Sequence, residues 1–339
     1  MDAERPEPII DETAVDAAAA EESFTGVVTV DMGDERRWER ADGFAHRALQ
    51  VPNTTTTRFA IASGSKTFTA LAVLRLIEDG VLSLDTRVRS ILVSDLPLID
   101  DDVTVEQLLT HTSGIGDYID EEADWDAADY VLPVPVHVLA DTEAFVPVVD
   151  GYPQAFAPGD HFSYCNGAYI VLALIAERAS DREYHDLVEQ EVCERAGLSQ
   201  TSFLRSDELP ADAALGYLFE EGDRTNVLHL PVRGNGDGGI YSTADDIHAF
   251  WRALVGGRIV SEQTVAEMIR PRHDVPDEKM RYGMGLWLGP TGPQLIMEGY
   301  DAGVSFRSTH NPRTATTVSV LGNSSEGAWP LIFALADIA

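Results

Sequence analysis

The sequence predicts an α/β protein of the α+β kind: one antiparallel sheet built from both ends of the chain, flanked by helices, with an all-helical region inserted between them. Three observations predict it. Strand-like segments cluster near both termini, helical apolar periodicity fills the middle, and no repeat or low-complexity linker divides the chain.

Residues 1–22 are acidic and alanine-rich and read as a flexible N-terminus, frayed or at most loosely helical. From Phe24, FTGVVTV alternates as a strand does, and a turn at Met32-Gly33-Asp34 leads into a second strand. In GSKTFTALAVLRLIED (64–79), Phe68, Leu71, Leu74 and Ile77 recur along one face, so the segment reads as a helix that Gly80 stops. VTVEQLLTHTSG (103–114) is a short helix running into a turn. Residues 118–135, acidic and aromatic without a period, read as a loop or lid. GAYIVLALIAERAS (167–180) is a strongly apolar helix. Helices follow near 184–195 and 244–255, the second opened by Ser242-Thr243, and a short one begins near Ser261. The strands MGLWLG, QLIMEG, VSFRSTH and TTVSVLG come next, then a last helix over roughly 327–338. The sheet region thus covers about 23–95 and 282–339, and the helical region about 96–281. A site is expected where the two meet.

Of the 339 residues, 57 are acidic and 24 basic, for a net charge of −33. Such a surface repels nucleic acid and anionic membranes, which excludes both as partners. Molar salt shortens the screening length to roughly 3 Å and quenches the repulsion among the acids, so the composition points to a salt-loving source. The 44% hydrophobic content supplies a sizeable core. Cys165 and Cys193 form no disulfide framework and read as two buried thiols. The chain does not open on a basic segment followed by an apolar run, and no apolar stretch approaches the length of a membrane span. As written it reads as cytoplasmic; a leader removed from it would make it a secreted protein. Nothing fixes the oligomeric state.

Lysine is almost absent: it occurs at Lys66 and Lys279, and the other 22 of the 24 basic residues are arginine. Lys66 stands three residues after Ser63 at the start of the predicted helix, which places both side chains on one face about one turn apart. Unpaired N–H groups at a helix N-terminus favour negative charge there. A serine hydroxyl needs a base to become a nucleophile. Lysine can serve; arginine, which stays protonated, cannot. S-x-x-K alone is a weak signal, met equally by a capped helix start with a snorkelling lysine, and the scarcity of lysine gives it weight. HFSYCNGAY (161–169) adds Tyr164 and Asn166 at the start of the apolar helix. A phenol beside a lysine can relay protons, and a carboxamide can hold both the amine and a substrate amide.

Together, SGSK, LLTHTSGI (108–115), APGDHFSYCN (157–166) and GGIYSTADDI (238–247) resemble the serine β-lactamase and penicillin-recognising family, from about Phe24 to the C-terminus. The closest resemblance is to its class C-like branch, which includes esterases and D-amino-acid peptidases. The resemblance implies a β-lactamase/transpeptidase-like fold and a single catalytic domain over 23–339, ending just after the last helix with no appended module. It implies Ser63 as the acylated nucleophile, Lys66 as its base, and Tyr164 as the relay that also activates the deacylating water. Asn166 would orient Lys66 and the substrate. The backbone N–H groups of Ser63 and Tyr300 would form the oxyanion hole. His111 would be structural and Cys165 a bystander.

The family's third element, Lys-Thr-Gly or His-x-Gly on a strand edge, has its counterpart in MEGYDAGVSF (297–306). Gly299 and Gly303 match the two glycines, whereas Met297 and Glu298 replace the cation and the small residue. The change removes attraction for a substrate carboxylate and at Glu298 adds repulsion, worth ~1 kcal/mol or more in a screened site. The expectation is a serine hydrolase working through an acyl-enzyme on a small-molecule ester, amide or peptide. It would be esterase-like or D-amino-acid amidase-like, with weak or no β-lactamase activity. The alternative is an impaired binding or sensor protein that keeps the fold. No cofactor is implied, and the nine histidines show no metal-ligand spacing.

Overall fold

A computed structural model of the protein describes residues 10–119, 129 and 131–339. At its centre the first strand, β1 (Gly26–Met32), lies antiparallel to the last, β8 (Thr316–Gly322), in register from Gly26↔Gly322 to Met32↔Thr316. β2 (Glu35–Asp42) pairs with the other side of β1. Beyond β8 come β7 (Val304–Asn311), β6 (Leu295–Asp301) and three short strands, β5 (Trp287–Leu288), β4 (Met280–Tyr282) and β3 (His273–Val275). The order is β2-β1-β8-β7-β6-β5-β4-β3, antiparallel throughout. Both ends of the chain thus build one sheet, as the sequence predicts.

Helices cover both faces, so β1 and β8 are buried along their whole length while the edge strand β2 alternates. One face packs against α1 (Glu12–Glu21) and the C-terminal helix α6 (Trp329–Ala334): Val15, Ala18 and Ala19 meet Val28, Val30, Val320 and Leu331. Residues 12–21, read from the sequence as part of a flexible terminus, are therefore a packed helix. Asp11 caps it by accepting from the N–H groups of Thr13 and Ala14. Its buried face is mostly alanine, which gives little hydrophobic contrast to read.

The other face packs on the core of the helical region. This is built around α2 (Ser65–Glu78), α4 (Asn166–Ser180) and α5 (Ala244–Val255), with the short α3 (Val105–Leu109) alongside. The one-sided periodicity of α2 understates its burial, since Ser65 to Leu74 is buried continuously. Its polar side chains are matched inside: Thr67 donates to Gly285 O at 2.7 Å and Thr69 to Gly236 O at 2.6 Å. The helix expected near 184–195 runs from Tyr184 to Ala196 with one wider turn at Glu189–Cys193. Of the loop expected at 118–135, residues 120–128 and 130 lie outside the described residues.

Candidate active site

Ser63 stands at a sharp change of direction. Phe59–Ala60 pairs with Tyr241–Ser242, Ala62 then turns at φ +43°, and a single 3-10 turn, Ala62–Gly64, feeds straight into α2. A positive φ at alanine is strained, and here it brings the half-buried Ser63 to the end of the helix. Three residues on, Lys66 is 2% exposed. Its Nζ has three oxygen neighbours at 2.8 Å: Ser63 Oγ, Asn166 Oδ1 and the backbone oxygen of Asp237. That geometry suits an ammonium donating three bonds. It equally suits a neutral amine that donates to Asn166 and Asp237 and turns its lone pair to the Ser63 hydroxyl.

Asn166 is the first residue of α4, and a remote side chain caps the helix. Asp117 accepts from the N–H groups of Asn166 (2.6 Å), Gly167 (2.9 Å) and Tyr118 (2.8 Å). Asn166 is therefore not needed at its own helix end and reaches Lys66 instead. Burial pushes the Asp117 carboxyl up, its three N–H bonds and Lys66 oppose this, and it stands at about 6.

Tyr164 places its ring centroid 5.1 Å from Lys66 Nζ, stacked on Trp287 at 5.9 Å and tilted 4.4 Å from His111. His111 is fully buried. Its Nδ1 accepts from Cys165 N at 3.1 Å, so Nε2 carries the proton toward Tyr282 Oη, 3.1 Å away. Burial and then Lys66 hold it well below the usual histidine range, in keeping with a neutral ring. The Cys165 thiol is buried, and burial pushes it well above the ordinary thiol range.

β6 closes the site from the sheet side. A side chain at Gly299 would put its Cβ 2.2 Å from Ile61 O and 2.8 Å from Ser63 N, so only glycine lets the strand lie against the Ser63 amide. Met297 is 1% exposed and lines a small hollow beside Ser63, Lys66 and Tyr164. Glu298 sits directly across the ladder from Arg307 and is ion-paired with it, so the repulsion expected of Glu298 is partly neutralised. Burial raises its carboxyl and Arg307 opposes the rise. The open cleft, about 280 Å³, is lined by Ser63, Tyr164, Asn166, Gly299 and Tyr300. It is also lined by Asp237, Glu278, Glu298 and Asp301, and no arginine or lysine is among its described lining residues.

Ser63, Lys66, Tyr164, Asn166 and the 297–300 strand thus converge on one place. Sequence reasoning missed Asp117, Tyr118, Trp287 and Asp237, whose carboxylate accepts from the Tyr118 hydroxyl. The available signal was adjacency: Asp117 follows LLTHTSGI by two residues and Asp237 immediately precedes GGIYSTADDI. Among the described residues no group of His, Cys, Asp and Glu is placed to hold a metal ion, and no helix is long and apolar enough to cross a membrane.

Comparison with known proteins adds a separate line. The beta-lactamase family model matches residues 12–336. A penicillin-binding protein of Bacillus subtilis (strain 168) is 27% identical over 299 residues, 84% of this chain and 63% of its own length. A D-aminopeptidase of Brucella anthropi is 27% identical over 320 residues, 93% of this chain and 59% of its own. Esterase EstB of Burkholderia gladioli is 29% identical over 294 residues, 75% of this chain and 72% of its own. The chain therefore spans less than two thirds of the first two relatives. The solved structure of a penicillin-binding protein from Bacillus halodurans matches with a TM-score of 0.88 at 35% identity, over 96% of this chain and 100% of that one.

Proposed function

The chain belongs to the beta-lactamase family, a family of serine hydrolases, and from that premise we propose that it hydrolyses an ester or amide through an acyl-enzyme on Ser63. The observation that carries this is the 2.8 Å contact between Lys66 Nζ and Ser63 Oγ, in an amine otherwise held by Asn166 and the Asp237 carbonyl. The neutral amine takes the hydroxyl proton while Oγ bonds to the substrate carbonyl carbon. The N–H groups of Ser63 and Tyr300 receive the oxyanion. When the tetrahedral species collapses, the bond to the alcohol or amine breaks, and the proton from Lys66 passes through Tyr164 to the departing atom. Water then attacks the acyl carbon, giving its proton to the Tyr164–Lys66 pair, and Ser63 Oγ leaves with a proton.

The substrate follows from the β6 edge. Met297 supplies no cation for a carboxylate, and the cleft walls are acidic, which favours neutral or amine-bearing substrates. The esterase and the D-aminopeptidase among the relatives agree with that preference. Nitrocefin turnover is expected to be slow beside that of nitrophenyl esters or D-amino-acid anilides. A second reading, a binding or sensor protein that retains the fold without turnover, draws on the same loss at Met297.

Labelling in high salt with a fluorophosphonate probe decides between them. The parent protein is expected to label and Ser63→Ala to stay unlabelled; an unlabelled parent would favour the binding protein.

A further inference from the structure

A second cavity opens from the same cleft. It measures about 80 Å³, shares Tyr118, Asp237, Gly238 and Asp301 with the cleft, and runs between Phe145, Val148 and Leu230. Three polar side chains in its wall carry buried atoms without a hydrogen-bond partner among the described residues: both amide atoms of Asn235, Nδ1 of His229 and Oγ of Ser206. Asn235 is 1% exposed. Unpaired buried polar groups are uncommon and costly, and three of them against one cavity offer a ligand a ready set of donors and acceptors.

The backbone fixes Asn235. It opens the turn Asn235–Gly238, in which Asn235 N–H donates to Gly238 O at 2.9 Å and Gly238 N–H to Asn235 O at 3.3 Å. Gly236 lets this turn press on α4, because a Cβ there would lie 2.1 Å from Tyr169 O. The same turn extends the Asp237 carbonyl to Lys66. One turn therefore carries the unpaired carboxamide and a ligand of the reacting amine.

Building on the hydrolase reading above, we propose that this cavity is a second binding subsite for the substrate acylated at Ser63. It takes an uncharged amide at the tip of a short apolar stem. The donor and acceptor of Asn235 complement the acceptor and donor of a carboxamide in a two-bond pair. Asp237 and Asp301 at the shared mouth oppose a carboxylate of the same shape. Apolar walls suit the stem, and the volume, roughly the room of several waters, limits the group to a few heavy atoms. The unpaired atoms have almost no accessible surface, so the amide engages them only once the Asn235 side chain turns toward the cavity.

The test uses nitrophenyl esters whose acyl chain ends in a carboxamide, in an isopropyl group of the same shape, or in a carboxylate. A second set of acetate esters carries the same three ends on the alcohol. In one of the two sets, kcat/KM for the carboxamide is expected to exceed that for the isopropyl ester about tenfold or more, with the carboxylate worst. The ratio should fall toward one in Asn235→Leu, and also drop in Ser206→Val, which probes the wall elsewhere should the first variant fail to fold. A ratio near one in both sets for the parent, or ratios unchanged in the folded variants, overturns the subsite. Calorimetric binding of the same esters to Ser63→Ala separates this outcome from the hydrolase reading. Amide-selective binding by a protein that turns over no ester keeps the subsite and removes the hydrolase. Turnover without selectivity does the reverse.

Discussion

Ser63 and Lys66 are legible because their relation is local: a spacing of three on a helix start fixes their contact before anything else folds. Asp117 and Asp237 are not, because each acts across the chain, Asp117 on the N–H of Asn166 and Asp237 on Lys66. Asp117 is a positioning residue with a pH signature. Burial raises its carboxyl to about 6 against an ordinary 3.8, so the folded protein binds this proton more tightly than the unfolded chain. Between those values folding stability falls as pH rises. The ionised form is the one that accepts three N–H bonds, so kcat/KM is expected to drop as pH falls through about 6. In Asp117→Asn one N–H faces an amide N–H₂ instead of an oxygen. That variant should lose about tenfold or more in kcat/KM at neutral pH and lack the limb near 6. An unchanged limb in this variant would assign it to another group.

At the scale of elements, the long periodic helices and the paired terminal strands are read correctly, and two of the short pieces are not. β5 falls within the predicted strand MGLWLG, but β3 and β4 span three residues each, too few for a period to show. They are ordered by the ladder beside them rather than by their own sequence. β6 carries the sharpest element-level consequence. Gly299→Ala puts a Cβ 2.2 Å from Ile61 O, so the strand must retreat from the Ser63 turn. Activity should fall at least a hundredfold while stability drops only about 1–3 kcal/mol. Paired kinetics and urea unfolding test this, and near-parent kcat/KM would contradict it. At its other end α2 is tied down through Glu78, which accepts from Ser261 N and the Thr264 hydroxyl and pairs with Arg75. Burial pushes its carboxyl up, but the bonds from Thr264, Ser261 and Arg75 outweigh it and hold it at about 2. Its stabilisation is therefore complete above an ordinary value of 4.5 and is lost as pH falls toward 2. Glu78→Gln should cost about 1–2 kcal/mol at pH 7, a gap that narrows through that window in urea melts.

For the whole molecule, the four sequence blocks in order make the fold readable, and the net charge of −33 governs how it holds. Arginine offsets the acids locally: Arg36 meets Asp31, Glu39 and Asp245, and Arg178 meets Asp95 and Glu143. With 57 acids to 24 bases, the acids outnumber the groups that can offset them by more than two to one. The melting temperature is expected to climb between roughly 0.1 and 1 M potassium chloride, as the screening length shortens from about 10 to 3 Å. A flat or falling trend would show that self-repulsion is not what limits the fold.

The pairing of Gly26 with Gly322 and of Met32 with Thr316 has a consequence for biogenesis. A nascent chain leaves the ribosome vectorially, so β1 emerges early and waits, its inner edge unmatched, until translation of β8 is nearly done. Ser63, Lys66 and the helix that follows them are all made before the partner that completes the sheet. The synthesis of β8 therefore sets the moment at which this sheet can close, and in the interval the exposed edge of β1 is where a chaperone or a neighbouring polysome would engage it.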